Sequence, residues 1–175
     1  MEALEIINRI QRGEDSKTQF KQTINNAAQA AEEFVAFSNS EGGLLFVGVK
    51  KNGDILGLSN EEIEKINQHI SNAASQHVKA PIAPLTENVT IGDKVIIVIN
   101  IAKGTNKQYH TNEGISYVKM GSDKRIAPPE EILRMFQTSG KIYADEGIVS
   151  NTSANDIDEQ IFKEFIYNKL FKRMM

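Results

Sequence analysis

The chain has 175 residues, of which 40% are hydrophobic and 25% charged, and its formal net charge is −3 at pH 7. This length and composition are ordinary for one well-buried globular domain with a small appendage. The mildly acidic balance gives no overall electrostatic footprint for nucleic acid, so such a function would have to rest on a local basic patch.

The composition also excludes several classes of protein. No cysteine is present, which rules out disulfides, thiolate metal sites and cysteine nucleophiles. No apolar run approaches the length that spans a bilayer, and the first residues lack a basic segment followed by an apolar core. We therefore expect a cytoplasmic protein with no membrane partner.

The first sixty residues predict a helix, a weak strand, a second helix and a hairpin of two strands. Periodicity and turn residues place the first three over residues 4–10 (helix), 18–23 (strand) and 25–38 (alanine-rich helix). A glycine pair then supplies the positive φ angles at which helices stop. The continuous apolar run Leu44–Val47 predicts a strand covered on both faces, and Asn52 with Gly53 predicts a hairpin turn back along Ile55–Leu58.

The middle of the chain predicts one helix and two strands. Ser59 and Glu62 form a capping-box signature that opens a helix with apolar residues at helical spacing as far as Ala74. Strands are predicted over residues 86–91 and 94–102, joined by a Gly-Asp turn, and the second is again continuously apolar.

The last part of the chain predicts a strand over residues 114–121 and a helix that opens at Pro128 and ends at Gly140. Polar residues follow, and Asp156 with Glu159 then predicts the capped start of an apolar final helix. The predicted division is residues 1–140 for the main domain, 141–155 for a linker and 156–175 for the C-terminal helix, which we expect to cover the domain, a second copy or a further region.

Three patterns resemble ligand sites, but each favours a backbone or surface role. Gly43 and Gly48 have the spacing of the outer glycines of a phosphate-binding loop, but Val49 replaces the lysine and the segment is itself a predicted strand. The histidines His69, His77 and His110 lack one-turn spacing, and the acids Glu14, Asp15, Glu41 and Asp54 each suit a turn or a helix end. We therefore predict no metal site and no cofactor.

The strongest electrostatic feature is the segment 103–126. It contains Lys103, Lys107, Lys119, Lys124 and Arg125, with Tyr109, His110 and Tyr117 interleaved, against only two acids. Such a segment suits contact with a phosphate backbone by ion pairing and counterion release. It equally suits a solvated sheet edge, where lysines prevent unwanted strand pairing.

Four segments together resemble the Schlafen-type AlbA-like domain, a DNA-binding domain family found in bacterial transcriptional regulators and some helicase-like proteins. They are GEDSKTQFKQ from Gly13, AFSNSEGGLLFVGVKKNGDILGL from Ala36, VIIVINIAKG from Val95 and YVKMGSDKRIAPPEEILRM from Tyr117, and they cover roughly residues 12–136. The resemblance implies an α+β fold with a mixed, mainly antiparallel sheet packed with helices, and nucleic acid, DNA in the first place, as the ligand.

The resemblance also assigns residues. By position, Lys21 matches the lysine of the family's Glu-Phe-Lys motif, Lys119 its basic residue after the tyrosine strand, and Arg125 the basic residue before the last helix. Asn39 and Ser40 match the end of the long helix, where we expect their side chains to fix the turn.

Some vertebrate Schlafen relatives are nucleases that use a carboxylate cluster, and this chain departs from their pattern. Glu14 matches the first acid, but the second is replaced by Gln19 and the third region carries Lys50 and Lys51. An amide is a poor ligand for a divalent cation, and two lysines would repel it.

The leading hypothesis is therefore a non-enzymatic nucleic-acid-binding module of a transcriptional regulator. The predicted phosphate contacts are Lys21, Lys50, Lys51, Lys119, Lys124 and Arg125. The alternatives are a metal-dependent nuclease or ATP-hydrolysing helicase-like regulator domain, and a scaffold that forms a homo-oligomer through its C-terminal helix.

Overall fold

The computed structural model describes residues 3–140, 153 and 158–167. The chain forms two compact units, Met1–Ile142 and Tyr143–Met175. The described helices are Ala3–Gln11 (α1), Ala27–Asn39 (α2), Asn60–Asn72 (α3), Pro129–Thr138 (α4) and Glu159–Ile166 (α5), and a π-helical turn, Ala73–His77, follows α3. The described strands are Thr18–Lys21 (β1), Gly43–Val47 (β2), Val78–Lys79 (β3), Leu85–Ile91 (β4), Lys94–Ile101 (β5), His110–Thr111 (β6), Tyr117–Met120 (β7) and Asp123–Ile126 (β8).

The main sheet has the strand order β1-β2-β5-β4. β1 runs parallel to β2, with Phe20 opposite Phe46, whereas β5 is antiparallel to both β2 and β4. The parallel pair is possible because α2 carries the chain back between β1 and β2. The predicted α+β class with a mixed, mainly antiparallel sheet is confirmed.

Helices cover both faces of this sheet, as the continuous apolar runs predict. Leu45 and Val47 of β2 belong to a core with α2 and α3, whereas Leu44 and Phe46 belong to a second core with α1. β5 divides its apolar residues between the same two cores. Because successive side chains of a strand point to opposite faces, an unbroken apolar run is what a doubly covered strand requires.

The predicted hairpin at Asn52 is only half right. A turn forms there, since the Lys50 N–H donates to the Asp54 carbonyl at 2.9 Å, but the returning segment makes a single bridge, between Val49 and Ile55. A strand has two edges for pairing, and those of β2 are taken by β1 and β5. The longer apolar strand β5 therefore occupies the place predicted for Ile55–Leu58.

α2 begins and ends at residues that satisfy its free backbone groups. The Asn26 side chain accepts a hydrogen bond from the Gln29 N–H at 2.9 Å, as an N-cap does. After the helix, Gly42 has a φ of +71°, and a Cβ there would lie 2.6 Å from the Lys103 nitrogen. Only glycine fits this turn, which brings β2 directly under α2.

A β-hairpin and α4 follow the main sheet. β7 and β8 pair in antiparallel fashion, and Val118, Ala127 and Met135 form a small core beneath α4. The sequence predicts β7 within a longer strand but not β8, whose residues Asp123–Ile126 are mostly polar. It also misses Met135 as the buried residue of α4, while the predicted Leu133 is exposed.

α5 begins at Glu159, and the Asp158 carboxylate caps it by accepting hydrogen bonds from the N–H groups of Gln160 and Ile161 at 2.9 and 3.0 Å. Asp158 therefore takes the capping role that was predicted for Asp156. The predicted linker, apart from residue 153, lies outside the described residues. Within the described part of the chain, no helix has the length and apolar character needed to cross a membrane.

Candidate functional site

A buried carboxylate on α2 binds two of the lysines predicted to contact phosphate. Glu33 is 3% exposed, and its Oε1 lies 2.9 Å from Lys21 Nζ and 3.2 Å from Lys124 Nζ. Lys124 Nζ also lies 2.5 Å from Glu32 Oε2. Two carboxylates of one helix thus bind side chains that enter from β1 and from β8.

The pKa values of these groups follow from burial opposed by charge. Burial by itself raises the pKa of Glu33, but the charges of Lys124 and Lys21 outweigh it and hold that pKa below its usual value. Burial likewise lowers the pKa of Lys124, and Glu33 with Glu32 reverses the effect and raises it. The opposite charges therefore stabilise the charged forms of Glu33 and Lys124.

Lys119 stands beside this network. It lies directly opposite Lys124 in the β7–β8 pair, and its main-chain N–H donates to Ser40 Oγ at 2.8 Å. Its ammonium group donates to Gln19 Oε1 and, at 2.6 Å, to the Ser122 carbonyl. Burial lowers the pKa of Lys119, an effect that the charges of Glu33 and Glu14 oppose.

Gln19 links Lys119 to Glu14. Its amide nitrogen donates to Glu14 Oε1 at 2.5 Å, while its carbonyl oxygen accepts from Lys119. Glu14 Oε1 also accepts the Phe20 N–H at 2.8 Å. An amide can donate to one neighbour and accept from the other, which a carboxylate at neutral pH cannot do. Gln19, where this chain departs from the nuclease pattern, thus forms a hydrogen-bond bridge between Glu14 and Lys119.

The structure brings four of the six predicted cations together. Lys21, Lys51 and Lys124 line one cavity of about 330 Å³ with Glu14 and Gln19, and Lys119 joins them through Gln19. Among these four lysines, Lys51 is exposed and the other three are half-buried.

The other two predicted cations lie elsewhere. Lys50 lines a separate cavity beside α1 and lies 3.8 Å from Asp54. Arg125 is opposite Val118 in the hairpin, on the face away from Lys124, and its exposed guanidinium pairs with Asp123 at 3.3 Å. Alternation along β8 therefore separates two basic residues that are neighbours in sequence.

The side chains of Asn39 and Ser40 were predicted to fix the turn after α2, but they bind later segments of the chain instead. The Asn39 amide nitrogen donates to the carbonyls of Tyr109 and Tyr117 at 2.8 and 3.0 Å, and its oxygen accepts the Tyr109 N–H at 2.8 Å. These bonds hold the loop before β6 and the start of β7 against the helix. The lysine cluster, which consists of Lys21, Lys51, Lys119 and Lys124, depends on this attachment because β7 carries Lys119.

Sequence reasoning missed the acidic half of the cluster, Glu32 and Glu33. The available signal was a carboxylate between Ala30 and Phe34 on a helix face that is otherwise apolar, since charged groups are rarely buried without a partner. Two ring contacts were also missed, with Lys119 Nζ 5.2 Å from the Phe37 ring and Lys124 Nζ 5.3 Å from the Tyr117 ring.

The carboxylates weighed for a nuclease are engaged in other contacts. Asp15 accepts the Lys17 N–H at 2.7 Å, Glu41 pairs with Lys103 at 2.7 Å, and Asp54 pairs with Lys50. Across the described residues, no three Asp, Glu, His or Cys side chains lie close enough to hold a metal ion. The donor set in this part of the chain does not fit a catalytic metal centre.

Comparison with known proteins identifies a family and a relative that this chain resembles. The family model described as Schlafen, AlbA_2 matches residues 14–128. An uncharacterized ATP-binding protein of Ureaplasma parvum serovar 3 is 27% identical over 169 residues, which cover 89% of this chain and 48% of that protein. The chain thus spans about half the length of the curated relative that it matches.

Two solved structures share the fold. The DIP2311 protein of Corynebacterium diphtheriae has a TM-score of 0.54 at 18% identity, over 70% of this chain and 27% of its own. The N-terminal domain of an ATP-dependent DNA helicase RecG-related protein from Nitrosomonas europaea has a TM-score of 0.52 at 18% identity, over 73% of this chain and 90% of its own.

Proposed function

This chain belongs to the Schlafen AlbA_2 family, and from that membership we propose that it is a nucleic-acid-binding module with DNA as its ligand. The observation that carries the proposal is that two of its phosphate contacts, Lys21 and Lys51, come from separate segments and line one cavity, in which Glu32 and Glu33 hold Lys124 in place. The similarity in fold to an N-terminal domain of a DNA helicase-related protein supports the choice of DNA. The module would form part of a transcriptional regulator.

The six cations divide into two roles in this proposal. Lys119 and Lys124 are partly buried and attach the β7–β8 hairpin to α2. Lys21, Lys50, Lys51 and Arg125 have exposed or half-exposed side chains, and they contact phosphate. Exposed ion pairs such as Lys50–Asp54 and Arg125–Asp123 contribute about 1 kcal/mol or less, so a phosphate oxygen can replace the carboxylate.

The mechanism is electrostatic docking with little reading of bases. Each phosphate neutralised by a lysine or arginine releases condensed counterions, which makes the binding constant fall as salt rises. The overall charge of −3 does not oppose this contact, because at physiological salt charges beyond roughly 8 Å are largely screened at the surface.

The test measures binding of a labelled DNA duplex by fluorescence anisotropy over a series of salt concentrations. We expect the double variant Lys51→Ala/Arg125→Ala to weaken binding and to reduce the slope of log K against log salt by roughly two, about 0.9 for each lost phosphate contact. Lys65→Ala, an exposed lysine on α3, is the matched control and should leave the slope unchanged.

Two outcomes would contradict the proposal. One is the absence of DNA binding by the unaltered chain at low salt. The other is a double variant whose affinity and salt slope equal those of the Lys65→Ala control. A parallel titration with single-stranded DNA and RNA of the same sequence determines which nucleic acid is preferred.

A further inference from the structure

A third cavity, of about 780 Å³, shares Lys119 with the lysine cluster but contains neither Glu33 nor Lys124. Its walls come from the end of α2, the loop after β5, the β7–β8 hairpin and α4. Lys103 and Lys107 enter from the loop and Arg134 enters from α4, so cations face the cavity from two sides. None of these three residues belongs to the phosphate contacts proposed above.

The lining carries more positive than negative charge. Lys103, Lys107 and Arg134 line the cavity with two carboxylates, Glu41 and Glu131, and a fourth cation, Lys119, has its ammonium bound by Gln19 and Ser122. Lys103 pairs with Glu41 at 2.7 Å, and Arg134 pairs with Glu131. These side chains are exposed apart from Glu131, so their pairs are weak and an incoming anion can compete for the cations.

Lys107 differs from the other two cations of this group. Its ammonium donates to the Ser40 carbonyl at 3.0 Å, and it forms no salt bridge with any carboxylate in residues 3–140. Burial and the nearby charge of Lys103 lower the pKa of Lys107. A bound anion would stabilise the charged form of this lysine and relieve the repulsion between the two ammonium groups.

The size and lining of the cavity suit a nucleotide. Its volume falls within the range of about 300–1,000 Å³ that is typical of small-molecule sites. Met120, which is 48% exposed, provides an apolar wall beside the cations. A phosphate monoester carries about two negative charges at neutral pH, whereas each phosphate inside a strand carries one, so a group of three cations favours the monoester.

We propose that this cavity binds a nucleotide through a phosphate monoester held by Lys103, Lys107 and Arg134. The phosphate can come from a free nucleotide or from the 5′ end of a nucleic-acid strand. Only the second source rests on the proposed function, because a free nucleotide would bind whether or not the chain binds DNA.

The experiment compares two short single-stranded oligonucleotides that are labelled at the 3′ end and differ only in a 5′-phosphate or 5′-hydroxyl. Calorimetric titration with adenosine monophosphate tests the free nucleotide. We expect a preference of about tenfold for the phosphorylated strand, measurable heat with the nucleotide, or both, as befits a charge-assisted contact. Arg134→Gln should remove the effect, while Lys65→Ala should keep it.

Arg134 is a suitable first variant because its side chain is 68% exposed, so its replacement leaves the core intact. Lys107→Met is the second variant, with its fold checked by thermal melting. The proposal is overturned if the two strands bind equally and the nucleotide gives no heat, or if Arg134→Gln keeps the preference. Equal binding of both strands still leaves the proposed function standing, whereas nucleotide binding without any strand binding removes that function and supports this cavity.

Discussion

Glu33 occupies a position on α2 where an apolar side chain would avoid the cost of burying a charge. That cost is several kcal/mol for an isolated ion and is offset only by close partners of opposite charge. Lys21 and Lys124 provide these partners at 2.9 and 3.2 Å. The residue therefore connects three elements, β1, α2 and β8, through one carboxylate.

Glu33→Gln should lower the free energy of unfolding at pH 7 by roughly 3 kcal/mol, because removing one partner leaves two partly buried ammonium groups without their shared charge. Glu32→Gln is the matched control. Glu32 is 34% exposed and binds only Lys124, so we expect a loss of about 1 kcal/mol there. Urea denaturation of both variants measures the difference, and equal losses would contradict the central role of Glu33.

The effect of Glu33→Gln on the free energy of unfolding should depend on pH. The pKa of Glu33 is lowered in the folded chain from an ordinary value of 4.5, so its stabilisation is fully present above pH 4.5 and is lost as the pH falls through the folded pKa. The gap in unfolding free energy between the unaltered chain and Glu33→Gln should therefore close in acid. Denaturation curves measured from pH 7 down to acid check this, and a constant gap would contradict it.

At the scale of elements, the sequence predicted helix caps and buried strands well, because neighbouring residues determine them. The capping box at Ser59 forms with both of its hydrogen bonds, and the apolar runs of β2 and β5 lie between two helical layers. Pairing was predicted less well, because the turn at Asn52 indicates a return of the chain but not whether β5 or the returning segment pairs with β2. β8 was not predicted because its residues are mostly polar and pack on α2 and β7, so they do not form the apolar pattern of a strand in a continuous core.

Asn39 makes the connection between two elements on which the candidate site depends. Asn39→Ala removes three hydrogen bonds in the interior and leaves the main-chain groups of Tyr109 and the Tyr117 carbonyl without this partner. We expect a loss of roughly 3 kcal/mol, since each unmade buried bond costs about 1 kcal/mol or more. Amide hydrogen exchange should also become faster along β7 than along β5.

Asn26→Ala is the control for this change, because Asn26 caps the exposed start of the same helix through one hydrogen bond. Its loss should cost about 1 kcal/mol and leave exchange along β7 unchanged. Equal exchange rates in β7 for both variants would show that Asn39 does not attach the hairpin to α2.

At the scale of the whole molecule, the lysine cluster is assembled by contacts between distant parts of the sequence. Lys119 and Gln19 are 100 residues apart, and Lys124 and Glu32 are 92 apart. Sequence positions identified the basic residues one by one, through their types and the family motifs. Their acidic partners could not be predicted in this way, because no local pattern indicates that α2 and β8 meet.

The second unit carries the prediction of self-association. Ile161 and Phe162 of α5 are 66% and 51% exposed, and adjoining exposed apolar side chains are typical of a surface that binds a partner. We expect the full chain to form a homo-oligomer through α5 and a chain without residues 155–175 to be monomeric, as measured by multi-angle light scattering.

A full-length variant separates this effect from truncation itself. Ile161→Ser with Phe162→Ser removes the apolar surface but keeps the helix cap at Asp158, and we expect the same fall in mass as in the shortened chain. Lys163→Ala changes an exposed charge on the same helix and should leave the mass unaltered. If the full chain is already monomeric, or if the serine variant keeps the larger mass, α5 does not join two copies of this chain.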